Sequence, residues 1–226
     1  MKKLLLAIAA SITLFILNSA LHAQEPVEYS AQAEQTFSLA VESYKEARFA
    51  EASAGFERII KLLPPNQRTT AAYVMRAKSL LRLNEPLEAG RTLRNFISLH
   101  PSSSYMPDAE YTMGLVYVRI QRYDDAVQSF LAAWRSDAEV RRAAFEALDR
   151  LLGVYFTVDA IERLLPQAKS ADERAFYWLV MGEKDAEAGR AVAVGAALDT
   201  LYRNYPGNPF RDRIALLRAS LEQRSN

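Results

Sequence analysis

The stretch that decides the fold runs from Glu110 to Trp134 and reads EYTMGLVYVRIQRYDDAVQSFLAAW. Large and small residues alternate along it with the spacing of two helices joined by a short turn. The residues that set this spacing are Tyr111, Gly114, Tyr117, Tyr123, Ala126, Phe130 and Ala133. The small members let the two helices approach closely, and the large members fill the space between them. The stretch therefore predicts one antiparallel helix hairpin.

Two similar hairpins precede this stretch at a period of 37 residues. The small residues Ala40, Ala77 and Gly114 occupy equivalent positions, and Pro64, Pro101 and Ala138 close the three repeats. A repeated hairpin cannot bury its apolar face alone, so it stacks on its neighbours. Asn84 followed by Pro86 predicts the start of a second helix, with the Asn84 side chain as its cap.

The pattern continues more weakly after Ala138. Two degenerate repeats are predicted over residues 139–206, with Thr157 as a helix cap, although an irregular helical extension is the alternative. A last helix in residues 207–226 alternates apolar and charged side chains, as expected of a helix that caps a solenoid. We therefore predict an all-α fold, an α-solenoid of about five helix hairpins with a carboxyl-terminal capping helix.

The three clear repeats, over residues 33–138, resemble the tetratricopeptide repeat. That family has small residues in both helices, aromatic residues between them and a closing proline, and its usual period is 34 residues. The loops PPNQRTTAAY and PSSSYMPDAEY hold about three additional residues each. The longer period and the YMPDAEY segment are similar to repeats of bacterial cell-envelope proteins. These are the outer-membrane assembly lipoprotein, the periplasmic protein associated with Tol–Pal, and the amino-terminal part of penicillin-binding-protein activators.

The first 23 residues have the layout of a secretory signal peptide. Lys2 and Lys3 precede an apolar run from Leu4 to Leu17, and cleavage is predicted after Ala23. The alternative, an uncleaved anchor, needs about 20 apolar residues. We expect an exported, periplasmic protein, either free or at the periphery of a membrane, with residues 24–32 as a linker and no transmembrane span in the mature chain. Because the chain contains no cysteine, we also expect no lipid anchor.

Composition argues against several functions. Without Lys2 and Lys3 the chain carries 26 basic and 27 acidic residues, which gives no general attraction to nucleic acid. The mature chain has one histidine, His100, and no cysteine, so a Cys–His pair or a histidine-rich zinc site cannot form. We therefore predict a protein that is not an enzyme and has no metal site and no cofactor.

The resemblance implies a concave groove lined by the first helix of each repeat. The groove positions are Phe37, Val41, Tyr44, Lys45, Val74, Lys78, Leu81, Arg82, Tyr111, Leu115, Val118 and Arg119. In the degenerate repeats the matching positions include the acidic residues Asp149, Glu183 and Glu187. These charges either select a partner or only solvate the helices. Outside the repeat core, Tyr29, Tyr105 and the pair Tyr155–Phe156 are candidate exposed anchors.

These features favour a scaffold that binds protein or peptide segments of the cell envelope. An extended or helical segment fits an apolar groove. Two other functions stay open. One is a regulatory accessory domain for an enzyme of peptidoglycan synthesis, and the other is a helical protein that binds or hydrolyses a small ligand.

Overall fold

The computed structural model describes residues 27, 29–62 and 64–224, and the chain divides into two compact units between Tyr105 and Met106. The predicted signal peptide, residues 1–23, lies outside the described residues. The amino-terminal unit contains α1 (Ala31–Lys45), α2 (Phe49–Lys61), α3 (Thr69–Arg82) and α4 (Pro86–Leu99). Within this unit α1 packs on α2, α2 on α3 and α3 on α4.

The carboxyl-terminal unit is also helical. It contains α5 (Met106–Arg119), α6 (Tyr123–Trp134), α7 (Arg141–Tyr155), α8 (Val158–Glu162), a 3₁₀ turn (Leu165–Gln167), α9 (Ala171–Glu187), α10 (Ala191–Asn204) and α11 (Arg211–Arg224). Helix α9 packs against α7, α8, α10 and α11. All regular elements of the described residues are helices, and within each unit most successive helices pack together, as in a solenoid. The predicted all-α class is confirmed.

The turn inside each hairpin repeats the same backbone geometry. Ala47, Asn84 and Gln121 have φ angles of 62°, 62° and 58°, and they are spaced 37 residues apart. In each turn the next residue donates its N–H across the helix end, as in Arg48 N to Ser43 O at 2.8 Å and Arg122 N to Tyr117 O at 2.9 Å. This bond closes a helix around a left-handed residue. The sequence period therefore corresponds to a repeated turn.

The predicted role of Asn84 as a cap is wrong. Glu85 is the residue that precedes α4, no side chain caps the helix, and Pro86 occupies its first turn as predicted. Asn84 instead ends α3, because its left-handed conformation lets Glu85 N donate to Leu80 O at 2.9 Å. Asparagine tolerates this conformation better than most residues. The capping prediction for Thr157 is confirmed, since its hydroxyl accepts from Ala160 N at 3.2 Å.

Small residues stand where the helices of a hairpin meet. A Cβ atom on Gly55 of α2 would lie 2.8 Å from Cβ of Ala40 of α1. On Gly114 of α5 it would lie 2.4 Å from the Phe130 ring of α6, so a ring rather than the partner's backbone needs the space. Phe56 and Phe130 are buried in the cores of the two units.

The carboxyl-terminal core contains several aromatic residues, and one of them was predicted to be exposed. Trp134 is 9% exposed, and its ring centroid lies 5.3 Å from Phe145 and 5.7 Å from Phe176. Phe156, a candidate exposed anchor, is buried. Its neighbour Tyr155 is exposed and stacks on the Tyr123 ring at 4.5 Å.

Candidate protein-binding surfaces

In the amino-terminal unit, the candidate residues of α1 are half-buried. Phe37 packs edge-on against Phe56, with ring centroids 5.5 Å apart, and Tyr44 packs edge-on against Phe49 at 5.3 Å. Val41 packs against the same core, and the last helical residue, Lys45, is exposed. These rings are held in place by the core beneath them while part of each side chain remains accessible.

The candidate residues of α3 divide into buried and accessible members. Val74 is 2% exposed, so it packs in the core and offers no surface to a partner. Lys78 and Leu81 are half-buried, and Arg82 is exposed. The Arg82 guanidinium lies 4.4 Å from the centre of the Phe49 ring. Tyr44, Phe49 and Arg82 are therefore brought together, and Phe49 is a surface residue that the sequence analysis missed.

Arg68 is a second residue that the sequence analysis missed. Its guanidinium lies 4.7 Å from the centre of the Phe37 ring and donates from Nε to Glu34 Oε2 at 2.7 Å. The hydrogen bond from Arg68 holds the pKa of the Glu34 carboxyl below its ordinary value. Gln67 adds a bond from Nε2 to Ser30 O at 3.1 Å. These contacts tie the start of α3 to the start of α1.

We define the amino-terminal face as the exposed and half-buried candidate residues of α1 and α3, together with Phe49. Its members are Phe37, Val41, Tyr44, Lys45, Phe49, Lys78, Leu81 and Arg82. Within the described part of the chain, neither Lys45 nor Arg82 forms an ion pair. The face therefore combines aromatic rings with two cations, Lys45 and Arg82, that remain available to an acidic partner.

The carboxyl-terminal unit carries the remaining candidates on α5. Tyr111, Leu115 and Val118 are half-buried and pack against the core of this unit, and Arg119 is exposed. The Tyr111 ring lies 5.9 Å from Phe130, and burial raises the pKa of its phenol. We call these four residues the α5 face.

Two of the three acidic positions of the degenerate repeats, Asp149 and Glu183, share a partner within the chain. Arg213 of α11 donates from Nη2 to Asp149 Oδ1 at 3.0 Å and to Glu183 Oε2 at 2.6 Å, while Glu187 is exposed. Burial alone would lower the pKa of Arg213, but its bonds to Glu183 and Asp149 raise the pKa above its ordinary value. Arg213 thus offsets part of the negative charge of Asp149 and Glu183.

The described residues contain neither a candidate metal site nor a helix suited to crossing a membrane. They contain no group of three or more His, Cys, Asp or Glu side chains that could hold a metal ion. Within the same residues, none of the helices combines the length and the apolar composition that a membrane crossing requires.

The stacked hairpins define a tetratricopeptide-like repeat protein. Residues 29–224 match the model of the YfiO family, which is described as outer membrane lipoprotein, and the chain belongs to this family. The resemblance to cell-envelope repeat proteins is therefore confirmed, as is the predicted localisation, exported and periplasmic at the periphery of a membrane. No curated protein matches the chain.

Family membership also corrects one prediction. We expected no lipid anchor because the chain contains no cysteine, but the family is one of outer membrane lipoproteins, so this prediction is wrong. It rested on the count of a single residue type, whereas the family match extends over all the helical repeats.

Proposed function

We propose that this protein is a non-catalytic scaffold of the periplasm, which binds protein segments on the first helices of its repeats during assembly or maintenance of the cell envelope. The observation that supports this most directly is the amino-terminal face. Half-buried rings on α1 lie beside the exposed cations Lys45 and Arg82, which have no ion pair in the described part of the chain.

A bound segment would gain free energy from both parts of this face. Covering the exposed parts of Phe37, Val41 and Tyr44 contributes about 25 cal/mol for each Å² removed from water. The guanidinium of Arg82 is oriented by its stacking on Phe49, an interaction of about 0.5–1 kcal/mol at exposed sites. Stacking leaves the N–H groups at the guanidinium edge available to a carboxylate. A segment with apolar residues flanked by Asp or Glu fits best.

The α5 face has the same composition on a smaller scale. Tyr111, Leu115 and Val118 present apolar surface, and Arg119 ends the helix with an exposed positive charge. Because each unit has its own face, a partner can bind to one face by itself. We propose that Arg119 selects acidic residues, as Lys45 and Arg82 do.

Binding without catalysis is the role that the chemistry favours. The exported chain has one histidine, and burial lowers the pKa of His100, whose ring lies 5.7 Å from Tyr73 and 5.8 Å from Phe96. An aromatic setting of this kind explains His100 as a packing residue. A general base would instead need a partner that orients it.

A charge-reversal experiment tests the proposal. Lys45→Glu with Arg82→Glu places two negative charges on the amino-terminal face. Arg58→Glu with Arg94→Glu makes the same change at exposed positions of the second helices α2 and α4. Each variant is used as bait for chemical crosslinking in envelope extract, followed by quantitative mass spectrometry, after circular dichroism has shown unchanged helix content.

We expect the amount of the main crosslinked partners to fall at least tenfold for the first variant. For the control variant we expect these amounts to stay unchanged. Repulsion between the new charges and acidic residues of the partner is the physical reason. If the two variants gave the same set and amounts of partners, the proposal that the amino-terminal face binds them would be refuted.

A further inference from the structure

The loops that lengthen the repeats line a cavity in the amino-terminal unit. Its volume is about 490 Å³, and its walls come from the segment before α3 and from the segment after α4. The first segment contributes Pro64, Pro65 and Asn66, the second contributes the serines at 102–104, and Leu99 is the last residue of α4 itself. These segments include the additional residues of the 37-residue period, and none of them belongs to the amino-terminal face.

Asn66 provides a buried donor at this cavity. The residue is 4% exposed, its N–H donates to Thr69 Oγ1 at 2.9 Å, and its Oδ1 accepts from Arg68 N at 3.0 Å. The bond to Arg68 defines which side of the amide carries the NH₂ group. That nitrogen, Nδ2, is buried and has no hydrogen-bond partner among the described residues. A buried polar group of this kind is costly unless an acceptor reaches it.

The amino terminus of α3 adds further donors at the same place. Thr69 and Thr70 line the cavity and begin a helix of 14 residues. Thr69 N donates to Asn66 O at 3.0 Å, whereas a helix supplies no acceptor of its own for the N–H groups of Thr70 and Ala71. The first turn contains no acidic residue, and the preceding Arg68 makes no side-chain cap. Helix α3 therefore supplies no acidic residue of its own to the positive end of its dipole, and the Glu34 carboxylate near this end is bound by the Arg68 side chain.

The other residues that line the cavity indicate which class of ligand it can bind. Among the described residues that line it there is no Asp, Glu, Lys or Arg, and burial lowers the pKa of His100, which keeps this residue neutral at pH 7. Phosphate groups are usually bound with arginine or lysine, so a singly charged carboxylate fits better. Pro64, Pro65 and the exposed side chain of Leu99 form an apolar rim.

We propose that this cavity binds a carboxylate that bears an apolar substituent. The carboxylate accepts hydrogen bonds from Asn66 Nδ2 and from the first-turn N–H groups of α3, and the substituent packs on Pro64, Pro65 and Leu99. Such a group can come from a small carboxylic acid or from the free carboxyl end of a peptide, and both present the same chemistry. This site is separate from the protein-binding faces and does not depend on them.

The test uses N-acetyl-leucine as the probe and N-acetyl-leucinamide as its uncharged counterpart. The ¹⁵N-labelled exported chain is titrated with each compound and followed by amide chemical shifts. We expect saturable binding of the acid, with the largest shifts at Thr70 and Ala71, and binding of the amide at least tenfold weaker. Equal affinity for the two compounds, no saturable binding, or shifts confined to other residues would each overturn the proposal.

A substitution identifies the donor. Asn66→Asp keeps the oxygen that accepts from Arg68 N but replaces the NH₂ donor with a negative oxygen. We expect the affinity for N-acetyl-leucine to fall at least tenfold. Asn204→Asp makes the same charge change at an exposed position at the end of α10 and is expected to leave the affinity unchanged. Amide spectra of both variants report whether they are folded, and undiminished binding by folded Asn66→Asp would refute the assignment.

A peptide arm distinguishes the two sources of the carboxylate. Acetyl-Ala-Ala-Ala-Leu with a free carboxyl end is compared with N-acetyl-leucine. Tenfold tighter binding of the peptide supports a peptide terminus as the ligand, and equal binding supports a small acid. Each of these outcomes supports the carboxylate site, provided that the Asn66→Asp variant loses both ligands.

Discussion

Replacing Glu173 by glutamine is expected to destabilise the carboxyl-terminal unit strongly. Glu173 lies in the first turn of α9 with 2% of its side chain exposed. It accepts from Arg135 Nε at 2.7 Å, from Arg135 Nη2 at 2.8 Å and from the backbone N–H of Lys169 at 2.8 Å. The substitution keeps the shape of the side chain but removes the charge that Arg135 faces.

The magnitude follows from burial. Breaking a buried ion pair by neutralising one partner costs about 3–5 kcal/mol. Arg135 is 26% exposed, so water reaches part of its guanidinium and reduces the cost. We therefore expect a loss of about 2–3 kcal/mol in the free energy of unfolding. Urea unfolding followed by tryptophan fluorescence measures it, because both tryptophans, Trp134 and Trp178, lie in this unit.

The pH dependence gives an independent check. Burial alone would raise the pKa of Glu173, but the bonds from Arg135 and Lys169 hold the pKa below its ordinary value. A depressed carboxyl pKa contributes stability that is present above the unfolded-state value, about 4.3, and is lost as the pH falls through the folded-state value. The difference between wild type and Glu173→Gln is therefore expected to be full at pH 7 and to shrink below about pH 4.3.

The amino-terminal unit offers a matched control. Arg68 and Glu34 form a similar pair, but both side chains are 34% exposed, so solvent screens their attraction. Glu34→Gln is expected to cost only a small fraction of the Glu173→Gln loss, measured by far-ultraviolet circular dichroism. A loss below about 1 kcal/mol for Glu173→Gln, with no dependence on pH, would refute the assignment of a stabilising buried pair.

Two substitutions, each with a matched control, test the hairpin geometry by thermal unfolding. Gly114→Ala places a Cβ atom 2.4 Å from the buried Phe130 ring. We expect it to lower the melting temperature, because an overpacking cost of about 1–3 kcal/mol outweighs the gain in helix propensity of about 1 kcal/mol. In the control, Gly195→Ala in α10, the new Cβ atom meets no atom within 4 Å, so the melting temperature should rise. Equal shifts for both would contradict the close contact. Ala47→Gly relieves a positive φ and should stabilise by about 0.5–1 kcal/mol, whereas Ala54→Gly inside α2 should destabilise by a similar amount. Destabilisation by both would exclude the left-handed turn.

The features of the structure that depend on residues close together in the sequence were predictable from it. The 37-residue period predicts a short turn inside each hairpin, because each turn joins two helices that follow directly in the chain, and the left-handed residues Ala47, Asn84 and Gln121 lie in these turns. The period could not identify Asn84 as the residue that ends α3. An asparagine before a helix serves either as a cap or as a left-handed terminator, and local sequence alone does not choose between them.

Contacts between distant residues were not predictable in this way. Arg213 binds Asp149, which precedes it by 64 residues, and the alternating charges of the last helix indicated only that it is solvated. Val74 occupies a groove position in the repeat pattern, yet it is buried because α3 packs between α2 and α4. The side chains at Asn66 and Arg68 lie in a loop where the repeat pattern makes no prediction.

Arg68 is the residue that connects the amino-terminal face with the carboxylate cavity. Its guanidinium lies over Phe37 and binds Glu34, while its backbone N–H donates to Asn66 Oδ1. Substituting Arg68 would therefore disturb both sites at once and could not show which one binds a ligand. Lys45→Glu with Arg82→Glu changes only the face, and Asn66→Asp changes only the cavity. Because these substitutions share no contact, loss of protein partners in one and loss of carboxylate binding in the other would establish two independent sites.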